Sequence, residues 1–236
     1  MSVIFEQEDV AIHHKREGYN CEILGGQVLL DSKGFDVWSE DYEKYVERSS
    51  KGYPFEGYYH VLNYIYSLIE KKDGSRILDI GIGTGILPTQ IYKEGAMIYG
   101  VDFSAKMIDI AQEKMPKAKF YQCDFNNGLP SELISERFDY IISSYAIHHL
   151  NDNKKIEFFK QLLNLLNNGG KIIIGDVAFE SEEKLQKCRE KTGKSWDNDE
   201  IYIVVDTMSD RLMEAGIGFR YKQISVCAGV MEITKS

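Results

Sequence analysis

The chain has 236 residues, 43% hydrophobic and 28% charged, which suits one sizeable core with an added segment and is short for two full domains. Its 28 Lys and Arg against 37 Asp and Glu leave a net charge of −9, which argues against non-specific binding to a phosphate backbone. No apolar run approaches the ~20 residues that cross a bilayer. The start MSVIFEQEDVAIHH carries acids where a secretory signal has a basic end, and Cys21, Cys123, Cys188 and Cys227 form no CxxC pair. The expectation is a reducing, cytoplasmic setting with no membrane contact, no zinc ribbon and no disulfide framework.

In chain order, residues 10–30 hold short β-like pieces around Gly18 and Gly25–Gly26. The first 35 residues read as an arm, a lid or a homodimer contact. Residues 36–48 and 57–70 read as aromatic-rich helices, so 36–72 is expected to form a helical cap and 73–236 the core. From Arg76 onward short apolar runs alternate with amphipathic segments. RILDI (76–80), MIYGV (97–101), AKFYQ (118–122), FDYIISS (138–144) and KIIIG (171–175) read as buried strands. Between them, LPTQIYKEG carries Pro88 near its first turn, SAKMIDIAQEKM has Ser104 as N-cap, and NKKIEFFKQLLNLLNNGG ends at Gly169–Gly170 as a helix stop. This alternation predicts an α/β, doubly wound, mostly parallel sheet with strand C-termini along one edge. FRYKQISVCAGVMEI (219–233) reads as two strands about a turn at Ala228–Gly229. No helix fits between them, so they are expected to pair antiparallel.

The central motif is ILDIGIGTG, from Ile77 to Gly85, in which a buried strand enters Asp79, Gly81, Gly83 and Gly85 before a helix. Glycines there let the chain turn sharply and let a ligand approach the main chain. The dinucleotide pattern G-x-G-x-x-G is not met, because Ile86 occupies its last glycine slot. Asp79 would repel a pyrophosphate and suits a ligand with an ammonium group. Asp102 ends the second strand, where a carboxylate binds a ribose diol or merely helps cap the helix at Ser104. Asp124 follows the third strand; it could hold the exocyclic amine of adenine, with Phe103 and Phe125 flanking the ring, or be a plain loop Asp.

LDIGIGTG, GVD, CDF, FDYIISSYAIHHL and LLNNGGKIIIGD together resemble the class I S-adenosylmethionine-dependent methyltransferases over residues ~36–234, the terminal antiparallel hairpin included. The resemblance implies a seven-stranded Rossmann-like fold, S-adenosylmethionine as cofactor and S-adenosylhomocysteine as product. It implies that Asp79 lies near the methionine end, that Gly81, Gly83 and Gly85 line the passage, and that Asp102 binds ribose and Asp124 adenine. Phe103, Met107 and Phe125 join the cofactor set, and Ser144 falls at the methionyl part. Asn168 replaces the family's usual Pro before the last Gly pair. FDVWSEDYEKY (35–45) resembles the helix that precedes the fold in small-molecule members, which makes Tyr42 either a methionyl contact or a core aromatic.

A methyl transfer needs a base only where the acceptor must lose a proton. His149, next to His148 beyond the fourth strand, is the candidate base; a structural histidine is the alternative. His13 and His14 form no HExxH-like spacing, so no metal is expected. Asp176, after the fifth strand, could bind an acceptor amine or cap a helix. Trp38, Tyr42, Tyr45, Tyr53, Phe55, Tyr58, Tyr59, Trp196 and Tyr202 either enclose an acceptor or pack helices. SWDNDE (195–200) reads as an acidic lid rim or a solvated loop. The expected partner is a small-molecule methyl acceptor. A methyltransferase for RNA or protein, an NAD-linked oxidoreductase and a non-catalytic cofactor-binding protein are the alternatives.

Overall fold

The computed structural model describes residues 52–70 and 72–235, with Val46 and the four residues of one strand pair. That pair joins Ile23–Leu24 antiparallel to Gln27–Val28 on either side of Gly25–Gly26 in sequence. The remaining expectations for residues 1–48, Tyr42 included, lie outside the described residues; Val46, which is described, is helical and buried.

Among the described residues, eight strands form the main sheet: β1 (Arg76–Ile80), β2 (Met97–Asp102), β3 (Lys119–Gln122), β4 (Phe138–Ser144), β5 (Leu166–Phe179), β6 (Ile203–Val204), β7 (Ile217–Gln223) and β8 (Ala228–Lys235). Their order is β3-β2-β1-β4-β5-β8-β7, with β6 beside the end of β5. The first five strands pair in parallel, and β8 pairs antiparallel with both β5 and β7. The expected doubly wound sheet with an antiparallel end is therefore present.

The helices are α1 (Tyr58–Leu68), α2 (Ile86–Lys93), α3 (Ala105–Lys114), α4 (Ser131–Ile134), α5 (Asp152–Asn164), α6 (Glu182–Thr192) and α7 (Val205–Glu214). Period-2 alternation sends neighbouring strand residues to opposite faces. Ile77, Ile98, Ile142 and Ile173 pack with Val61 and Ile65 of α1, Leu87 and Ile91 of α2 and Ala111 of α3. Leu78, Tyr99, Ile141 and Ile174 pack on the other face with Phe158, Phe159 and Leu162 of α5 and Leu212 of α7. Ser104 caps α3, its hydroxyl accepting from Met107 N at 3.2 Å.

Two local expectations are corrected. Gly169–Gly170 does not stop a helix: α5 ends at Asn164, and β5 already begins at Leu166. The glycines lie inside that strand, where its register against β4 shifts between Phe138 and Tyr140. A Cβ at Gly170 would meet the carbonyls of Asp139, Asn167 and Phe138 at 3.0–3.1 Å, so this glycine serves close backbone approach. The hairpin turn is also displaced. Ala228–Gly229 open β8, and the chain reverses over residues 224–227. Side chains decide this: Ser225 Oγ accepts from Cys227 N and Ala228 N at 3.3 and 3.1 Å, while Gln223 Nε2 donates to the carbonyls of Ala178, Ser225 and Ala228.

Candidate active site

The strand order reverses at β1, with β2 on one side and β4 on the other. Ligands of such sheets bind beyond the strand C-termini at this switch point. Asp79 sits there, 1% exposed, and neither carboxylate oxygen has a hydrogen-bond partner among the described residues. Burial, with the neighbouring charge of Asp102 second, holds its pKa well above the usual carboxylate range. A buried acid with both oxygens unmatched is a costly arrangement that a cationic ligand would relieve.

The glycine loop follows. Gly81 has φ +71°, and a Cβ there would collide with Ala146 Cβ, so this position serves the protein's own packing. Gly83 differs: at φ +54° it is strained for any L side chain, yet no described atom lies within 4 Å of its notional Cβ. Open space beside a bare backbone is what a close-approaching ligand requires. Gly85 is the left-handed N-cap of α2.

Asp102 is 4% exposed and organises this loop. Its Oδ2 accepts from Gly83 N at 2.8 Å and its Oδ1 from Ser104 N at 2.9 Å. The capping role weighed from the sequence is thus real. Asp124 is exposed and caps the turn Phe125–Asn127, accepting from Asn126 N at 2.9 Å and Asn127 Nδ2 at 3.0 Å. Phe125 is buried and stacks on Phe158 with centroids 5.6 Å apart, leaving its edge toward Gly81. Phe103 is half-buried, Met107 is 1% exposed in the core, and Ser144 ends β4 opposite Gly175. Asp79, the glycines, Asp102, Phe103, Asp124 and Ser144 therefore share one edge of the sheet, with Met107 and Phe125 turned into the packing behind it.

Beyond β4 the chain turns through Tyr145, whose φ is +52°, and enters the 3-10 turn Ile147–His149. Asp176, expected after the fifth strand, lies inside β5, which runs on to Phe179; 1% exposed, it anchors that turn. Its Oδ2 accepts from Ile147 N and His148 N at 2.9 and 3.1 Å, and its Oδ1 from Val177 N at 2.7 Å; the same Oδ1 lies 2.6 Å from His148 Nδ1. So many bonds leave Asp176 to hold the histidine turn, rather than an acceptor amine or the next helix. His148 Nε2 lies 3.3 Å from Glu200 Oε1. Burial opposes charge on His148, yet the two carboxylates raise its pKa well above the ordinary histidine value. For Glu200 the same pairing outweighs burial and brings the carboxyl down to about 2. His149 stacks edge-on against His148, centroids 4.1 Å apart, and burial followed by the neighbouring charge pushes its pKa well below 6.5. His148, His149 and Glu200 each bring a ligand-type atom within 4.8 Å of the others, but both ring nitrogens of His148 already face carboxylates.

Glu200, Tyr202, Tyr53 and Lys155 carry no motif and were not singled out as site residues by sequence reasoning, beyond the aromatic inventory and the acidic run. That run is solvated only in part: Ser195, Asn198 and Asp199 are exposed, whereas Trp196 and Asp197 are buried, at 6% and 5% exposure, and Glu200 turns inward. Tyr202 OH donates to Glu200 Oε2 at 2.8 Å and also hydrogen-bonds Tyr53 OH. Tyr53 stacks on Trp196 with centroids 4.8 Å apart, and Tyr202 packs edge-on to both rings. These three aromatics fill one another's space, which is the packing alternative.

Lys155 is wholly buried and donates to the carbonyls of Leu150 and Ile201 at 2.7 and 2.5 Å. With Ile201 N donating to His148 O at 3.0 Å, it staples the 193–204 segment to the histidine turn. Lys155→Met is expected to cost about 2–4 kcal/mol, since two buried carbonyls lose their donor. Denaturant unfolding checks the loss, and faster amide exchange at Ile201 checks its place.

The methyltransferase-domain family Methyltransf_31 matches residues 71–215. The chain belongs to this family. An uncharacterized methyltransferase of Geobacillus thermodenitrificans is 32% identical over 220 residues, covering 89% of this chain and 98% of that protein. One of Anoxybacillus flavithermus is 35% identical over 160 residues, covering 67% and 71%. Among solved structures, the DhpI–SAH complex superposes with a TM-score of 0.65 at 14% identity, covering 87% of this chain and 95% of that one. Magnesium protoporphyrin IX methyltransferase from Synechocystis PCC 6803, with bound SAH, gives 0.58 at 16% identity, covering 98% and 95%. The resemblance read from the motifs is borne out: this is a methyltransferase with the class I fold, not an NAD-linked oxidoreductase. Among the described residues, no helix is long and apolar enough to cross a membrane.

Proposed function

We propose that this methyltransferase moves a methyl group from S-adenosylmethionine to a small-molecule acceptor bearing a removable proton. The observation that carries the reading is Asp79: a buried carboxylate with two unmatched oxygens, beside the open backbone of Gly83. The methionyl ammonium would meet Asp79, with Ser144 and Tyr42 at the same end. The glycines 81, 83 and 85 would pass the chain of the ligand, and Asp102 would receive the ribose hydroxyls. Asp124 would take the adenine amine, with Phe103 and the edge of Phe125 beside the ring. When bound, S-adenosylmethionine supplies an activated methyl group on a sulfonium. The protein's part is to align the acceptor, exclude water and remove its proton, which falls to His149. A reducing, cytoplasmic setting is part of this reading. We divide the chain into an arm (1–35), a cap (36–72) and a core (73–236).

Incubation of metabolite pools with methyl-labelled S-adenosylmethionine tests the reading. Label in one low-mass product supports it, and label only in RNA or protein overturns the small-molecule part. Asp102→Ala is expected to weaken S-adenosylhomocysteine binding by about 1–3 kcal/mol, through lost charge-assisted hydrogen bonds. Calorimetry on the folded variant reads it, and an unchanged affinity removes the ribose role.

A further inference from the structure

We propose that His148 acts on the reaction through His149: an imidazolium locked between Asp176 and Glu200, it sets the ring of His149 and keeps that ring in its neutral, proton-accepting form. This rests on the base role of His149 proposed above. The argument is one of donors and acceptors. An ionised carboxylate accepts hydrogen bonds and has no hydrogen to give. Nδ1 of His148 lies 2.6 Å from Asp176 Oδ1, and Nε2 lies 3.3 Å from Glu200 Oε1. A hydrogen on each ring nitrogen, and hence a positively charged ring, is the arrangement that satisfies both oxygens.

Both carboxylates are themselves fixed. Asp176 is held by the three backbone amides of Ile147, His148 and Val177. Glu200 is held by Tyr202 OH at 2.8 Å, and Tyr202 in turn by Tyr53. The cation therefore has one position, 4.1 Å ring to ring from His149. A second positive charge at that distance is unfavourable, and burial disfavours it further. Among the described residues, His149 also faces Glu200, which favours its protonation, and Lys155, which opposes it. The low pKa of His149 and the raised pKa of His148 agree with this division.

The acceptor heteroatom then gives its proton to the free ring nitrogen of His149. The electron pair left on the heteroatom forms the bond to the methyl carbon, and the pair of the broken S–C bond stays on sulfur as the thioether product. Asp176, Glu200 and His148 are positioning residues in this scheme, and His149 alone touches the acceptor.

The test is long-range proton–nitrogen NMR on the full chain, labelled with 15N-histidine and saturated with S-adenosylhomocysteine, between about pH 5 and 9. His148 is expected doubly protonated at neutral pH, and His149 singly protonated. In His148→Asn the titration midpoint of His149 is expected to rise by about one pH unit, because the neighbouring cation is gone. Should that variant not fold, Glu200→Gln serves: the His148 midpoint is expected to fall by about one unit. A neutral His148 in the wild type, or an unmoved midpoint in the folded variant, overturns the proposal. A purely structural His148 would leave the His149 titration where it was. The underlying reading fails separately: wild-type turnover in His149→Ala with the NMR pattern intact removes the base, and with it this role for His148.

Discussion

Asp79→Asn is expected to weaken S-adenosylhomocysteine binding by about 10–100-fold and, at neutral pH, to make the unliganded protein more stable. The first effect follows from exchanging a carboxylate for an amide opposite an ammonium, a charge-assisted bond of about 1.5–3 kcal/mol. The second follows from what Asp79 lacks. It is 1% exposed with no partner for either oxygen among the described residues, and burial, then Asp102, raises its pKa. A carboxyl whose folded pKa is raised binds its proton more tightly in the folded state. Its contribution is therefore fully present below the unfolded pKa of about 4 and is lost as pH rises toward and through the raised folded value. Asn does not titrate. The variant should gain over the wild type at neutral pH, and the gain should shrink toward pH ~4. Denaturant unfolding at both pH values, with calorimetry for the ligand, gives the two numbers. An unchanged affinity, or a variant less stable at neutral pH, would falsify the assignment of Asp79 to the ammonium.

The second large effect belongs to His149. Its replacement by Ala is expected to lower kcat by about 100- to 10,000-fold, the usual range for a positioned base. Binding of S-adenosylhomocysteine should stay within about twofold, since that lies inside the ~0.5 kcal/mol of an ordinary peripheral substitution. Burial and the His148 charge keep the wild-type ring neutral below the ordinary histidine range. The wild-type rate should thus be level through neutral pH and fall only in acid, once the ring takes up a proton. Steady-state kinetics with the acceptor found by the labelling screen measures both. A variant that turns over like the wild type would leave His149 a structural residue.

Legibility followed the range of the interactions. RILDI and FDYIISS are continuous apolar runs because parallel strands are buried on both faces, and the structure keeps both ends of each. Ser104 was readable as an N-cap because the bond it makes reaches only three residues along the chain. The glycine loop was readable for the same reason, since the backbone turn it needs is local. The turn at 224–227 was misplaced because Ala228–Gly229 has turn-like composition, whereas Ser225 and Gln223 hold the reversal with their side chains. Gly169–Gly170 misled in the same way, serving a shift of register between two strands and not a helix end.

Amino-acid order alone determined the sheet apart from β6, the direction of its other strands and the acids at its C-terminal edge, because hydrophobic period and turn chemistry act between near neighbours. The tertiary structure decided which of those acids are satisfied. Asp176 is saturated by a turn 29 residues away, and Asp79 is left bare. Glu200 meets His148 across 52 positions only because Lys155 and the Tyr53–Tyr202 pair fold an acidic run inward. Contacts of that length are set by packing, and packing leaves no spacing in a sequence to read.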